Sequence, residues 1–316
     1  MRILVLGAGA TGGYFGGRLA EANQDVTFLV RPRRAAALAR SGLQIRSRFG
    51  DFHLTRPAAI LSDDLREPFD VLLLSCKAYD LEDAIHSVKP AVGPRTTILP
   101  LLNGMRHLDR LDQAFGRERV LGGLCAIAAT LGDQGEILHL NDVHLLSFGE
   151  RDGLISDRVQ AIAAVMQGAR FDARASNHIL PAMWEKWVFL ASLAAGTCLF
   201  RASVGDIAAA AGGSQFMLGV LEECRAIAAA EGYPVREDFL ERTGATLTTA
   251  GSPFTASMLR DMERNAPIEG DHILGDLVRR ARESRPALLG IAYTHLKAYE
   301  ARRARTLGAA TTISNR

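Results

Sequence analysis

Two textures divide the chain. In the first half, short apolar runs alternate with amphipathic segments. RILVLG (2–7) reads as a buried strand, residues 10–22 as a helix and DVTFLV (25–30) as a second strand. A helix over 32–40 follows, then LQIRS and DFHLT as a strand pair across an Arg-Phe-Gly-Asp turn. VLLLS (71–75) and TILPLLN (97–103) are further strands, with a helix at about 80–89 between them. VLGGLCAIAATLG reads as extended, and EILHL and VHLLSFG alternate like two antiparallel strands. This alternation predicts an α/β Rossmann domain: a doubly wound, mostly parallel sheet with an antiparallel extension at one edge.

From about residue 155 the period becomes 3.6. Ala-rich helical segments fall at 155–168, 179–200, 214–231, 236–249, 256–264, 269–282 and 286–303, separated by breakers such as EGYP and AGSPF. No strand of comparable quality follows residue 175. An all-helical C-terminal domain is therefore expected, dividing the chain into 1–176 and 177–316. The polar tail TLGAATTISNR is expected to fray.

Composition narrows the function classes. The 316 residues suffice for two domains, and 48% apolar with 23% charged residues rules against disorder. A net charge of +2 gives no argument for nucleic acid or a membrane surface as partner. The longest apolar stretch, Trp187–Phe200, is too short to span a bilayer. The N-terminal apolar run breaks at glycines without a small-residue cleavage site, so it reads as a first strand rather than a signal peptide. Four scattered cysteines point to a reducing cytoplasm, and neither they nor the eight histidines have metal-ligand spacing. No metal site is expected.

The sharpest motif is GAGATG, Gly7-x-Gly9-x-x-Gly12, placed after a strand and before a helix. Gly7 permits the tight turn, Gly9 lets the backbone approach a pyrophosphate, and Gly12 allows close helix–sheet packing. Ala10 and Thr11 complete the dinucleotide-binding turn. About 20 residues on, NAD-specific sites carry an acid for the ribose 2′-OH. This chain has VRPRR there, with Arg31 directly at the strand end and no acid, which points to the 2′-phosphate of NADP. Lys77 and Asn103 also follow strands at their carboxyl ends, where open α/β sheets place ligands.

In the helical half, Lys186 interrupts the apolar run MWEKWVFLASLAAG. At helical spacing it shares a stripe with Met183, Leu190, Leu193, Ala194 and Thr197. Only four of the 37 cationic residues are lysines, leaving 33 arginines. A lysine kept in that background suits a task needing an ammonium that can lose its proton.

Taken together, GAGATGG, SCKAYD, PLLNGM, MWEKWVFLAS and SMLRDMERNAPIEGDHILG resemble the ketopantoate reductase family, in order and spacing, over nearly the whole chain. The resemblance implies an N-terminal Rossmann domain, a helical C-terminal domain and an active site in the cleft between them. It makes Lys186 the general acid that protonates the substrate carbonyl oxygen as hydride arrives, with Glu269 acting beside it. It puts Asn103 by the nicotinamide and substrate, Ser257 on the substrate, Lys77 close to the cofactor and Arg31 on the 2′-phosphate. Unaided by the resemblance, Lys186 could equally snorkel to water, Glu269 could support the first turn of its helix, and Ser257 could be an N-cap.

The chain departs from the family where substrate is held. Family members commonly carry asparagines four and eight residues after the lysine and three before the serine. Here those positions are Leu190, Ala194 and Phe254, with Thr197 one turn further on as a partial substitute. Losing two buried polar partners costs about 1–3 kcal/mol each. The expected activity is thus NADPH-dependent reduction of a small 2-oxo acid, ketopantoate or a less polar analogue. Alternatives are a dehydrogenase working on a secondary alcohol and an NADP(H)-binding sensor without turnover. The expected partners are NADP and a small 2-oxo acid, with neither nucleic acid nor membrane, and with a homodimer as an open alternative for assembly.

Overall fold

The computed structural model describes residues 1–282 and 286–314, with side chains as far as Leu307. Contacts divide the chain into two units, Met1–Leu102 with His107–Leu180, and Asn103–Arg106 with Pro181–Arg316.

In the first unit the chain runs β1 (Arg2–Leu6), α1 (Ala10–Glu21), β2 (Asp25–Leu29), α2 (Pro32–Ser41), β3 (Leu43–Arg46), β4 (Phe52–Leu54), β5 (Ala59–Ile60), β6 (Val71–Leu74), α3 (Leu81–Val88) and β7 (Thr97–Pro100). It continues through α4 (Arg106–Phe115), β8 (Gly122–Leu131), β9 (Ile137–Gly149), α5 (Asp157–Met166) and β10 (Asp172–Ala175). One sheet has the order β5-β2-β1-β6-β7 and is parallel throughout. The chain leaves β1 for β2 on one side and returns to β6 on the other. This reversal is a topological switch point, and Leu6, Leu29 and Leu74 lie level at its carboxyl edge.

The strands expected as an edge extension gather in a second sheet, β10-β9-β3-β4, with β8 antiparallel to β9. A bridge between Ile98 and Val120 leads from one sheet toward the other. EILHL and VHLLSFG, expected as two strands, are the single strand β9. The polar Asn141 between them does not turn the chain. Its side-chain oxygen accepts from the Ala128 amide at 3.0 Å, where the β8–β9 register shifts. Helix α1 packs through glycines: a Cβ on Gly16 would stand 2.7 Å from Phe28, and one on Gly17 2.8 Å from Ile45. Tyr14, Phe15 and Leu19 from this helix share one core with Ile45, Leu146 and Phe148.

The second unit holds most of α6 (Ile179–Phe200), then α7 (Val204–Ala209), α8 (Gly213–Ala230), α9 (Glu237–Leu247), α10 (Ser257–Glu263), α11 (Asp276–Arg280) and α12 (Ala287–Ser314). A π-wound turn, Asp271–Gly275, leads into α11. Helix α6 is apolar nearly all round, and Trp187, Val188, Ala191 and Ala195 are fully buried. Periodicity missed α7, although Ser203 and Asp206 form a capping box at its start. The C-terminal helix, expected to end near residue 303 ahead of a fraying tail, continues to Ser314; residues 315 and 316 of that tail lie outside the described residues. Among the described residues, no helix is long and apolar enough to cross a membrane.

Candidate active site

The first unit supplies a cradle for a dinucleotide. After β1 the chain turns at Gly7, with φ +90°, a conformation open to glycine. The Gly7 amide donates to the Leu29 carbonyl at 2.9 Å. A Cβ on Gly12 would lie 2.0 Å from Ser75 Oγ and 2.3 Å from the Gly7 carbonyl, so no side chain fits there. Around Gly9 nothing stands within 4 Å of where a Cβ would be. Gly9 is the N-cap of α1, and no acid occupies its first turn. Ala10 and Thr11 open that helix, so their amides belong to a terminus suited to phosphate.

Beside this turn is a cavity of about 630 Å³ lined by Gly7, Gly9, Arg31, Arg34 and Cys76, with Asp80 on its wall. Arg31 precedes Pro32, the first residue of α2, and its side chain is 71% exposed. It pairs with Asp80 at 2.8 Å, and that carboxylate raises the guanidinium pKa further. Arg34 is anchored elsewhere, donating through Nε to the Ala8 carbonyl (2.9 Å) and through Nη1 to the Gly135 carbonyl (3.0 Å). Lys77, half-buried, follows β6 and precedes a single 3₁₀ turn. The glycine turn, the free helix terminus and the exposed arginine fit a phosphorylated dinucleotide.

The second unit gathers the other candidates. On α6, Lys186 is half-buried between the buried Glu185 and Trp187. Leu190, also half-buried, and Ala194, buried, follow at one and two turns on the same face. Glu185 accepts from Arg236 through both carboxylate oxygens, at 2.7 and 2.8 Å, and so fixes this end of the helix. Sequence patterning did not single that pair out. The Asn103–Gly104 turn places Gly104 at φ +78°. Its Cα faces His272, and a Cβ there would lie 3.0 Å from the imidazole Cδ2.

Glu269 is half-buried, and its carbonyl accepts from the His272 and Ile273 amides at 3.1 and 2.9 Å. It therefore starts the helical turn, as expected of an acid at a helix entrance. Burial lowers the His272 pKa; Glu269, a hydrogen bond to the Asn103 backbone and Asp276 oppose that shift, and Arg106 reinforces it. Sequence reasoning missed His272, a lone histidine with no spacing to mark it.

Two expectations need correction. Ser257 is not an N-cap: Ala256 holds that position, and Ser257 is the exposed first residue of α10. Thr197 cannot stand in for a missing asparagine. Its hydroxyl is fully buried, donates to the Leu193 carbonyl at 2.7 Å and accepts from the Ala256 amide at 3.4 Å. Phe254 is 41% exposed and stacks on Phe189, with ring centroids 6.1 Å apart.

Residues 3–153 match the family described as Ketopantoate reductase PanE/ApbA, and residues 178–294 match its C-terminal part, Ketopantoate reductase PanE/ApbA C terminal. The chain belongs to the ketopantoate reductase family. The chain is 38% identical over 95% of its length to the uncharacterized oxidoreductase YkpB of Bacillus subtilis, 99% of which is covered. It is 28% identical to a 2-dehydropantoate 2-reductase of Archaeoglobus fulgidus, covering 89% of this chain and 91% of that one. The solved structure of a 2-dehydropantoate 2-reductase from Methylococcus capsulatus superposes with a TM-score of 0.84 at 33% identity, over 96% of this chain and 98% of that one. The ketopantoate reductase fold, a parallel α/β unit and a helical unit, is thus shared over both parts of the chain.

Proposed function

We propose that this member of the ketopantoate reductase family reduces a small 2-oxo acid to the 2-hydroxy acid with NADPH. The observation that carries the reading is a half-buried lysine on an apolar helix in a family of oxidoreductases, in a chain where only four of 37 cationic residues are lysines. NADPH would be held by Gly7, Gly9, Ala10, Thr11, Gly12, Arg31, Lys77 and Asn103, and when bound it supplies the hydride. Reduction of a ketone develops negative charge on oxygen, and the Lys186 ammonium stabilises that charge and donates the proton. Glu269 acts beside Lys186 in the substrate pocket, and Ser257 contributes a hydroxyl to the substrate.

The substrate reading is narrower than the family name. Leu190 and Ala194 present hydrocarbon on the face of Lys186, and the Thr197 hydroxyl is already engaged. A 2-oxo acid with a more apolar side chain than ketopantoate suits that face. The test is oxidation of NADPH with ketopantoate beside bulkier apolar 2-oxo acids, for the wild type and Lys186→Ala. Loss of turnover in Lys186→Ala with NADPH affinity retained is the expected result. A wild type inert toward the whole panel would sink the reading and point to a nucleotide sensor.

A further inference from the structure

We infer that His272 is a positioning residue for the site proposed above, its ring holding the Asn103–Gly104 turn in register with Glu269. The inference rests on that reading of the site, but its geometry does not. Gly104 at φ +78° leaves its Cα bare, and the imidazole fills the space: a Cβ would meet Cδ2 at 3.0 Å and Nε2 at 3.2 Å. The His272 carbonyl lies equally close, 3.2 Å from that Cβ position. The ring also hydrogen-bonds the Asn103 backbone. That bond favours the protonated ring, so the carbonyl is the acceptor. On its own backbone, the His272 amide donates to the Glu269 carbonyl at 3.1 Å. One residue thus touches both the Asn103–Gly104 turn and Glu269, which are far apart in sequence.

Chemistry explains why a histidine serves here. A neutral imidazole carries one N–H donor and one acceptor nitrogen. The charges around it are mixed, with Glu269 and Asp276 drawing a proton and Arg106 and burial opposing it. The neutral ring donates to Asn103 without adding a further positive charge beside Arg106. The buried His272 is itself part of the π-wound turn, an irregularity that commonly marks functional sites.

The experiment compares His272→Phe, which keeps the volume and loses the donor, with His272→Gln, which restores a donor of similar reach. With NADPH and the best 2-oxo acid of the panel, His272→Phe is expected to lose roughly ten- to a hundredfold in kcat/KM, the cost of a slightly misplaced site. The thermal midpoint should fall as well, since the Asn103 carbonyl loses a buried partner, and His272→Gln should recover most of both losses. Wild-type kcat/KM in His272→Phe, or no recovery in His272→Gln, would overturn the inference. Should the wild type reduce no 2-oxo acid, the reading of function fails separately, and the Asn103 and Gly104 amide signals by NMR decide this one. They should move in His272→Phe and return in His272→Gln; unmoved signals overturn it.

Discussion

Trp187 donates its indole N–H to the Ile273 carbonyl across 2.9 Å, joining the helix of Lys186 to the π-wound turn that follows Glu269. The indole is fully buried and leans on Trp184, 4.8 Å away between ring centroids. Arg280 lies over both rings. Through this one bond the two candidate catalytic residues share a rigid support.

Replacing Trp187 by Phe keeps an aromatic body and removes the donor. The Ile273 carbonyl then loses its partner in a buried setting, at about 1–3 kcal/mol. The expected outcome is a lower urea midpoint for the helical unit together with reduced kcat, read by near-ultraviolet dichroism and turnover. An unchanged midpoint would show that the bond is not a support.

Arg31 and Asp80 form an exposed pair, worth about 0–1 kcal/mol, so a phosphate can displace the carboxylate at little cost. Arg31→Ala should weaken NADPH by tenfold or more, as expected for about 1.5–3 kcal/mol in a charge-assisted contact. NADH should change little, and Asp80→Asn should tighten NADPH. Fluorescence titration of both reduced cofactors checks this, and equal losses for NADPH and NADH would remove Arg31 from the 2′-phosphate.

Leu190 is half-buried one turn beyond Lys186, while Ala194 is buried and leaves less room for a larger residue. Leu190→Asn is therefore the cleaner test of the altered substrate face. It should raise kcat/KM for ketopantoate by about tenfold and lower it for an apolar 2-oxo acid, since a site lined for hydrocarbon gains one polar partner. A parallel change for both acids would mean Leu190 does not face the substrate.

His144 is held between Tyr14, whose hydroxyl is 2.7 Å from Nδ1, and Phe49, stacked at 4.0 Å. Burial lowers its pKa, His139 and Arg18 lower it further, and Asp172 opposes them. The unfolded chain then takes up the proton more readily than the folded one. Stability from this group is complete above the unfolded value of about 6.5 and is lost as pH falls below it. Urea midpoints between about pH 5 and pH 8 should rise with pH in the imidazole range, and His144→Gln should flatten that rise. A slope retained in His144→Gln would assign it to other groups.

Much of the fold was legible because periodicity and glycine placement are local. The run RILVLG followed by Gly7-x-Gly9-x-x-Gly12 fixes a strand, a turn and a close-packed helix, and β1 and α1 stand where that pattern puts them. Helix α6 was equally legible, since Pro181 falls in its first turn, where proline is tolerated, and the long apolar run after it leaves no other regular choice. Asn141 misled because a polar residue between apolar runs reads as a turn, whereas here it satisfies an amide on the neighbouring strand. The same limit hid Glu185 and His272, whose partners Arg236 and Asn103 lie far along the chain.

The sequence by itself determined the two textures of the chain, the dinucleotide turn, the cation at the end of β2 and the isolated lysine, because each depends on neighbours within a few turns or strands. Tertiary structure alone decided which polar groups are still available. It engages the Thr197 hydroxyl with two backbone groups, pairs Arg31 with Asp80, and sets His272 against Gly104. A side chain's type is written in the chain, but a hydrogen bond or a packed face needs two groups brought together in space, and only folding chooses the second.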